Sequence, residues 1–232
     1  MITLPLRVVA SATPRSRLLH LDLEGQPFVF RAGQAVMAGA TGQPVRKPYS
    51  IASSPEDVVR DGRLELLVGV DAAGSAGAHL PLEPGTTIEV EGPLGSFTFP
   101  DQPDGWRFLF IAGGTGISPM RSMLRHALAS VRGADVALLY SARTPEEFAF
   151  EEELRELAAT GRIELRQTVT RDLTGPWSGA RGRIDGEQLR PLVHGTDTRC
   201  FLCGPPALVA DVPPVLAGLG VDPARIHVEQ WG

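Results

Sequence analysis

The sequence predicts two domains in series, an all-β domain over residues 1–102 and an α/β domain with a parallel sheet over residues 103–232. Three observations predict this. Residues 1–100 are punctuated by Gly and Pro about every 8–12 residues, with short apolar runs between and no long helical pattern, as in a β-sandwich or barrel. Later in the chain, strand-like apolar runs alternate with helical ones, the signature of a parallel sheet with helices on both faces. Between the two lies Pro100-Asp-Gln-Pro-Asp-Gly105, a loop-forming stretch that marks the boundary.

In the first domain the candidate strands are 4–10, 17–22, 35–38, 49–52, 63–70 and 86–91, then 96–99 after the turn Gly92-Pro-Leu-Gly95. The segment Ala72-Ala-Gly-Ser-Ala-Gly-Ala-His-Leu80 interrupts the strands and can wind into a short helix. In the second domain, strand 108–112 leads to helix 119–131 and strand 134–140 to helix 145–159. Strand 163–170, helix 186–192, strand 199–202, helix 206–219 and strand 225–230 complete it. Met120, Met123, Leu124, Ala127, Leu128 and Val131 recur at helical spacing, giving helix 119–131 an apolar face.

The 232 residues are 43% hydrophobic with a net charge of −5, enough apolar material for a real core. Residues 1–100 hold eight basic and ten acidic residues, and residues 101–232 fourteen and seventeen, so neither half suits a nucleic acid. Lys47 is the only lysine. The start Met-Ile-Thr-Leu-Pro-Leu-Arg7 lacks a signal-peptide pattern, and no apolar run approaches the ~18 residues of a membrane helix. A cytoplasmic monomer without membrane insertion is expected. Cys200 and Cys203 cannot build a disulfide framework or hold an iron–sulfur cluster by themselves. Three apart on a strand they point to opposite faces, which leaves Cys200 an ordinary buried residue. His20, His79, His126, His194 and His227 show no ligand spacing, so they are read as structural and no metal is expected.

The most informative stretch is Phe108-Leu-Phe-Ile-Ala-Gly-Gly-Thr-Gly-Ile-Ser-Pro119. A buried strand runs into Gly113, Gly114 and Gly116, which put no Cβ between the backbone and a ligand. Pro119 then sits in a first helical turn, where its missing N–H costs nothing. Such a turn aims unpaired N–H groups and the positive helix end at an anion, for which a dinucleotide pyrophosphate is the natural candidate. Alone, the pattern equally suits a structural βα turn, because Pro119 stands where Gly-x-Gly-x-x-Gly has its third glycine.

With this turn, Arg46-Lys-Pro-Tyr-Ser-Ile-Ala-Ser-Ser-Pro55 and Cys203-Gly-Pro-Pro206 make an ordered trio that resembles the ferredoxin–NADP reductase superfamily over nearly the whole chain. The resemblance implies an antiparallel six-stranded flavin-binding β-barrel, a nicotinamide-nucleotide α/β domain, and an active site in the cleft between them. In the family's Arg-x-Tyr-Ser motif the arginine holds the flavin pyrophosphate, the tyrosine lies against the flavin and the serine reaches its N5 edge. Tyr49 and Ser50 match, with Ile51 next on the same contact segment. Lys47 stands in the arginine's place and Arg46 one step before it. Either Lys47 serves as a point charge without the bidentate fork, or Arg46 serves with Lys47 assisting, which is the favoured expectation. The family's Gly-x-x-Ser/Thr turn falls on Gly74, Ser75 and Gly77; Gly77 lacks the hydroxyl, so backbone amides or Ser75 meet the phosphate. FAD is the flavin the resemblance implies.

In the second domain the resemblance makes Gly113, Gly114, Thr115 and Gly116, with Pro119 behind them, the loop under the nicotinamide nucleotide's pyrophosphate. Cys203, followed by Gly204 and Pro205, matches the family's cysteine beside the nicotinamide ring. A 2′-phosphate needs cations after the second parallel strand, where an acid suits a free ribose hydroxyl. Ser141 and Arg143 stand there with no acid, and Arg171 follows the next strand, so NADPH is expected over NADH. Glu146, Glu147 and the acidic run from Glu151 compensate a helix dipole. Glu229 and Trp231 resemble the family's terminal glutamate and aromatic; Trp231 either covers the isoalloxazine until nicotinamide displaces it or anchors the tail.

The expected activity is therefore that of a flavin-dependent oxidoreductase passing hydride between NAD(P)H and FAD, with Tyr49, Ser50, Cys203 and Glu229 bordering the rings. Single electrons then pass to or from a protein such as ferredoxin or an oxygenase component, for which Arg15, Arg17, Arg31, Arg46 and Lys47 are candidates for a basic docking patch. Two rival readings are a reductase of diffusible flavin and a noncatalytic flavin-bearing relay subunit of a larger complex.

Overall fold

The computed structural model describes residues 1–172 and 175–230; Trp231 lies outside the described residues. Six strands build the first sheet: β1 (Ile2–Thr13), β2 (Ser16–Asp22), β3 (Ala35–Ala40), β4 (Lys47–Ser50), β5 (Arg63–Gly69) and β6 (Thr87–Leu94). They are antiparallel in the order β4-β3-β6-β1-β2-β5. Just past β4, the bridge Ile51–Leu66 and the Ala52 N–H bond to the Glu65 carbonyl (2.8 Å) join the two ends, closing the sheet into a barrel. Alternate residues such as Leu4, Leu6, Leu19 and Leu21 fill its interior.

Three expectations change here. Residues 96–99 make no strand: Phe97 and Phe99 leave the barrel and pack among Phe108, Phe110 and Phe201 of the second domain. Burial between the sheets outweighs ladder pairing for that apolar run. Residues 72–80 form turns, not a helix, because the Asp71 carboxylate accepts from the Ala73 and Ser75 amides and fixes the chain in a local turn. Helix α1 (Pro55–Asp61) was not foreseen, although Ser54-Pro-Glu-Asp57 is a capping box with proline in the first turn.

The second sheet is β7 (Arg107–Gly113), β8 (Asp135–Ala142), β9 (Glu164–Val169), β10 (Ala180–Arg181), β11 (Arg199–Gly204) and β12 (Ile226–Gln230). All pairings are parallel, in the order β10-β9-β8-β7-β11-β12. The chain winds outward from β7 in one direction and returns through β11 on the other side. The switch point, and the crevice that such sheets offer a ligand, therefore lies outside the ends of β7 and β11. Helices α2 (Ile117–Ser130) and α3 (Glu151–Ala159) have core partners on one face, α4 (Gly186–Leu189) and α5 (Pro206–Gly218) on the other. The helix expected over 145–159 is broken: Pro145–Glu147 is a separate 3-10 turn, and Phe148 and Ala149 drop into the core before α3 begins.

Helix α2 buries its polar face as well as its apolar one. The Ser122 hydroxyl donates to the Ser53 carbonyl (2.8 Å), and Arg125 grips the Asp57 carboxylate through Nε and Nη2 (2.5 and 2.7 Å). Arg121 donates to the Ala52 carbonyl (2.8 Å) and to Glu65 (2.7 Å), and its guanidinium lies 4.4 Å from the Phe150 ring centroid. The two domains are thus joined through the helix that follows the glycine turn.

His20, His79 and His227 are each held below histidine's ordinary 6.5, chiefly by burial; Glu65 partly offsets this at His20, while Lys47 adds to it at His79 and Arg199 at His227. The unfolded chain then binds protons more readily, so the stabilising difference is full above pH 6.5 and is lost as pH falls through the lower folded values. The expected result is a melting temperature that drops between pH 7.5 and 5.5 in a calorimetric series. A midpoint that is flat or rises on acidification over that range would contradict it.

Candidate active site in the interdomain cleft

A cavity of about 900 Å³ opens at the switch point, walled by both domains. On the α/β side the glycine turn forms its floor, and close packing makes the glycines necessary. A Cβ on Gly116 would lie 2.3 Å from the Cys203 carbonyl oxygen, one on Gly113 2.8 Å from Pro205 Cδ, and one on Gly204 2.6 Å from Leu208 Cδ2. The glycine turn and the end of β11 therefore touch backbone to backbone, with the side chains of Pro205 and Leu208 closing over Gly113 and Gly204. Tyr140, fully buried at the end of β8, donates its hydroxyl to the Gly114 carbonyl (3.1 Å) and accepts from the Ala149 amide (3.2 Å). Burial pushes the Tyr140 phenol well above its usual range, so it stays protonated and can donate. Tyr140 was not singled out from sequence, where it reads as one more apolar strand residue.

Gly113, Gly114, Thr115, Gly116, Gly204 and Pro205 all line the cavity, as do Ser141, Arg143 and Arg171. The Arg171 amide bonds the Arg143 carbonyl (2.8 Å), tying together the loops after β8 and β9. Among the described residues neither Arg143 nor Arg171 makes an ion pair. Two further arginines reach the cavity: Arg15, 4.0 Å from Glu147, and Arg183, 3.7 Å from Asp211. Arg183 follows a strand of two residues, too short to read from its pattern. Glu147, read from sequence as dipole compensation, also reaches the cavity because the expected helix is interrupted just after it.

The barrel wall includes Thr13, Ser16, Leu67, Gly69, Ser75 and Gly77. On the neighbouring β4, alternation sets Lys47 and Tyr49 on one face, and Arg46 stands just before the strand. Lys47 is exposed, and its charge is felt at His79. Arg46, the favoured cation, points away: it crosses over Gly39, whose missing Cβ leaves room, and pairs with Glu89 on β6. The Arg46 guanidinium holds the Glu89 carboxyl below its usual range. Tyr49 is half-buried with its phenol pushed up to about 12 by burial, and it bonds His79. Ser50 is buried. Ile51 is fully buried in the barrel core with its amide on the Gln34 carbonyl (2.9 Å), so neither its side chain nor its N–H is available to a flavin.

The turn meant for phosphate has committed its amides within the loop: Gly74 to the Asp71 carbonyl, Ser75 to the Asp71 carboxylate and Gly77 to the Ser75 hydroxyl. Gly74 itself does not line the cavity; Arg17 lies against it. Pro119 is buried in the first turn of α2, also outside the cavity. Cys203 and Glu229 pair in register across β11 and β12, so their side chains share a face. Cys203 is fully buried, one residue short of the cavity wall, and burial together with the Glu229 charge pushes its thiol far up. Cys200, on the opposite face, is pushed up to about 12 by burial.

These residues fit two nucleotide cofactors. Gly114, whose Cβ position is open space, presents bare backbone in the cavity wall, Arg143 and Arg171 beside it have no carboxylate partner among the described residues, and β4, next to the cavity wall, carries the Tyr49 ring and the exposed Lys47 ammonium. Among the described residues no group of three or more His, Cys, Asp or Glu is placed to hold a metal ion, and no helix is long and apolar enough to cross a membrane.

Comparison with known proteins agrees with this architecture. Residues 4–99 match the model of the oxidoreductase FAD-binding domain and residues 110–213 that of the oxidoreductase NAD-binding domain. The chain is 36% identical over 220 residues to ferredoxin–NADP reductase B of Sorangium cellulosum, covering 90% of this chain and 88% of that one. It is 30% identical to the glycine betaine monooxygenase reductase subunit of Pseudomonas aeruginosa, covering 88% of this chain and 57% of that one. The crystal structure of Amycolatopsis cytochrome P450 reductase GcoB matches with a TM-score of 0.84 and 28% identity, covering 98% of this chain and 68% of that one. A Neisseria gonorrhoeae ferredoxin NADP+ reductase with bound FAD and NADP shares the fold, at a TM-score of 0.81 and 23% identity over 99% of this chain and 98% of that one. A reductase matched along most of its length and two oxidoreductase domain models in order give one conclusion: the chain belongs to the ferredoxin–NADP reductase superfamily of FAD- and NAD(P)-dependent oxidoreductases.

Proposed function

We propose that this chain passes hydride between NADPH and FAD and single electrons between FAD and a ferredoxin-like or oxygenase protein partner. The observation that carries this reading is a single cavity walled by the barrel on one side and by the glycine turn with Arg143 and Arg171 on the other. When bound, FAD supplies the hydride-accepting N5 and the change from two-electron to one-electron transfer. The chain's own residues bind, orient and exclude water. Lys47, on the face of Tyr49, holds the flavin pyrophosphate in place of Arg46, while the Tyr49 ring lies against the flavin and Ser50 borders its N5 edge. Thr115, Cys203 and Glu229 border the nicotinamide end, and Ser141, Arg143, Arg171 and Arg183 receive the 2′-phosphate.

Removing one such cation should lose a charge-assisted hydrogen bond of about 1.5–3 kcal/mol. Arg171→Ala is expected to raise KM for NADPH roughly 10- to 150-fold by that energy, and to leave KM for NADH within about threefold. Equal losses for both coenzymes in steady-state assays would remove the 2′-phosphate from this site.

The names of the Sorangium and Pseudomonas relatives, a ferredoxin reductase and an oxygenase reductase subunit, support a protein acceptor. Most of the basic patch read from sequence is already engaged within the chain, with Lys47 left exposed. Arg15, Arg31 and Arg46 are paired with Glu147, Asp101 and Glu89, and Arg17 donates to the Thr13 and Ser16 carbonyls. Turnover should be faster with a ferredoxin than with free FMN or riboflavin. The reverse order would favour the reductase of diffusible flavin, and negligible turnover even with ferricyanide the noncatalytic relay.

A further inference from the structure

His79 is read from sequence as structural, yet it stands at the proposed flavin site. Its ring is parallel to that of Tyr49, with 3° between the planes and 6.3 Å between the centroids, and its Nε2 lies 2.8 Å from the Tyr49 hydroxyl. The bond spans 30 residues and links the loop of Gly74, Ser75 and Gly77 to strand β4. His79 cannot easily swing away. It is 6% exposed, its carbonyl accepts from the Ala40 amide on β3 (2.7 Å), and Leu80 beside it is buried in the barrel core.

The chemistry of the pair is defined. Burial and the Lys47 ammonium hold the imidazole below its ordinary value, so near neutral pH it is uncharged and offers a lone pair. Burial keeps the Tyr49 phenol protonated. The phenol therefore donates and the imidazole accepts. A tyrosine whose ring face must meet a flavin has two soft side-chain torsions, and a hydrogen bond at the far end of the ring fixes both.

We infer that His79 is a positioning residue for the flavin: through its hydrogen bond to the Tyr49 hydroxyl it holds the phenol ring in the orientation that meets the isoalloxazine, and it sets the loop of residues 71–80 against β4. The inference rests on the flavin site proposed above. The test is FAD binding to the apoprotein, followed by quenching of flavin fluorescence, for wild type, His79→Ala, His79→Gln, Tyr49→Phe and the double variant His79→Ala with Tyr49→Phe. Tyr49→Phe keeps the ring and removes only the hydroxyl, so it is expected to weaken FAD binding as much as His79→Ala, each by about tenfold. Glutamine, whose amide oxygen can accept the same bond, should recover most of the loss, and the double variant should be no worse than either single one. Tyr49→Phe binding within about twofold of wild type would overturn the inference, as would a double variant whose losses multiply. Tyr49→Phe and His79→Gln decide the matter even if His79→Ala does not fold. A wild-type chain that binds no FAD would instead overturn the flavin-site reading itself, and the inference with it.

Discussion

Gly116→Ala is expected to abolish coenzyme binding at ordinary concentrations and to destabilise the fold by about 1–3 kcal/mol, the usual range for overpacking. The new Cβ would lie 2.3 Å from the Cys203 carbonyl oxygen, 2.7 Å from its carbon and 3.0 Å from the Gly204 nitrogen. All three are backbone atoms, so no rotamer change relieves the clash, and either the turn or the end of β11 must move. Both belong to the cavity wall. The backbone at Gly116 is ordinary right-handed helix (φ −61°), so space alone demands glycine there. Gly114 is the opposite case: its φ is +56° and a Cβ would meet nothing within 4 Å. Gly114→Ala should therefore cost only about 1–2 kcal/mol of left-handed strain, with the wall in place. Thermal unfolding with an NADPH titration distinguishes the two. Gly116→Ala with wild-type KM would show that β11 does not abut the turn.

Arg121→Met is expected to destabilise the protein by about 3–5 kcal/mol, the range for removing one partner of a buried ion pair. The Arg121 side chain is 8% exposed and Glu65 9%, so the carboxylate would lose its shortest ion pair and keep only the longer contacts to Arg63 and His20, each 3.4 Å, against its desolvation cost. The same change releases the Ala52 carbonyl, two residues beyond Ser50, and loosens α2 on the barrel. Adding Glu65→Gln should recover part of the loss, since a neutral pair is cheaper to bury. The exposed pair Arg7–Asp22 is the control: Arg7→Met should change stability by no more than about 1 kcal/mol, as for surface pairs generally. Chemical denaturation of the four proteins reads this directly. An Arg121→Met variant as stable as the Arg7→Met one would mean that the domains are not joined through Arg121.

Most of the architecture was legible because the constraints that set it are local. The period of the apolar residues gives strands and helices, and Gly113, Gly116 and Gly204 mark the places where neighbouring chain segments must approach closely. The site was less legible wherever the deciding partner is distant in sequence. Arg46 and Lys47 are equally cationic in the sequence, and the Glu89 partner together with the opening over Gly39 separates them. Tyr49 and His79 carry no pattern that announces their bond. Arg121, Ser122 and Arg125 carry no signal in the sequence for the bonds they make, because polar residues that meet a polar partner look no different in a binary pattern from those that meet water. Phe97 and Phe99 alternate like a strand yet serve the core between the domains.

The most direct test of the whole account is the visible absorption spectrum of the purified protein reconstituted with FAD, recorded anaerobically before and after NADPH and, separately, NADH. The expected result is one bound FAD per chain, bleached rapidly by NADPH and more slowly by NADH. A folded chain that takes up no flavin, or a bound flavin that neither coenzyme bleaches, would contradict it.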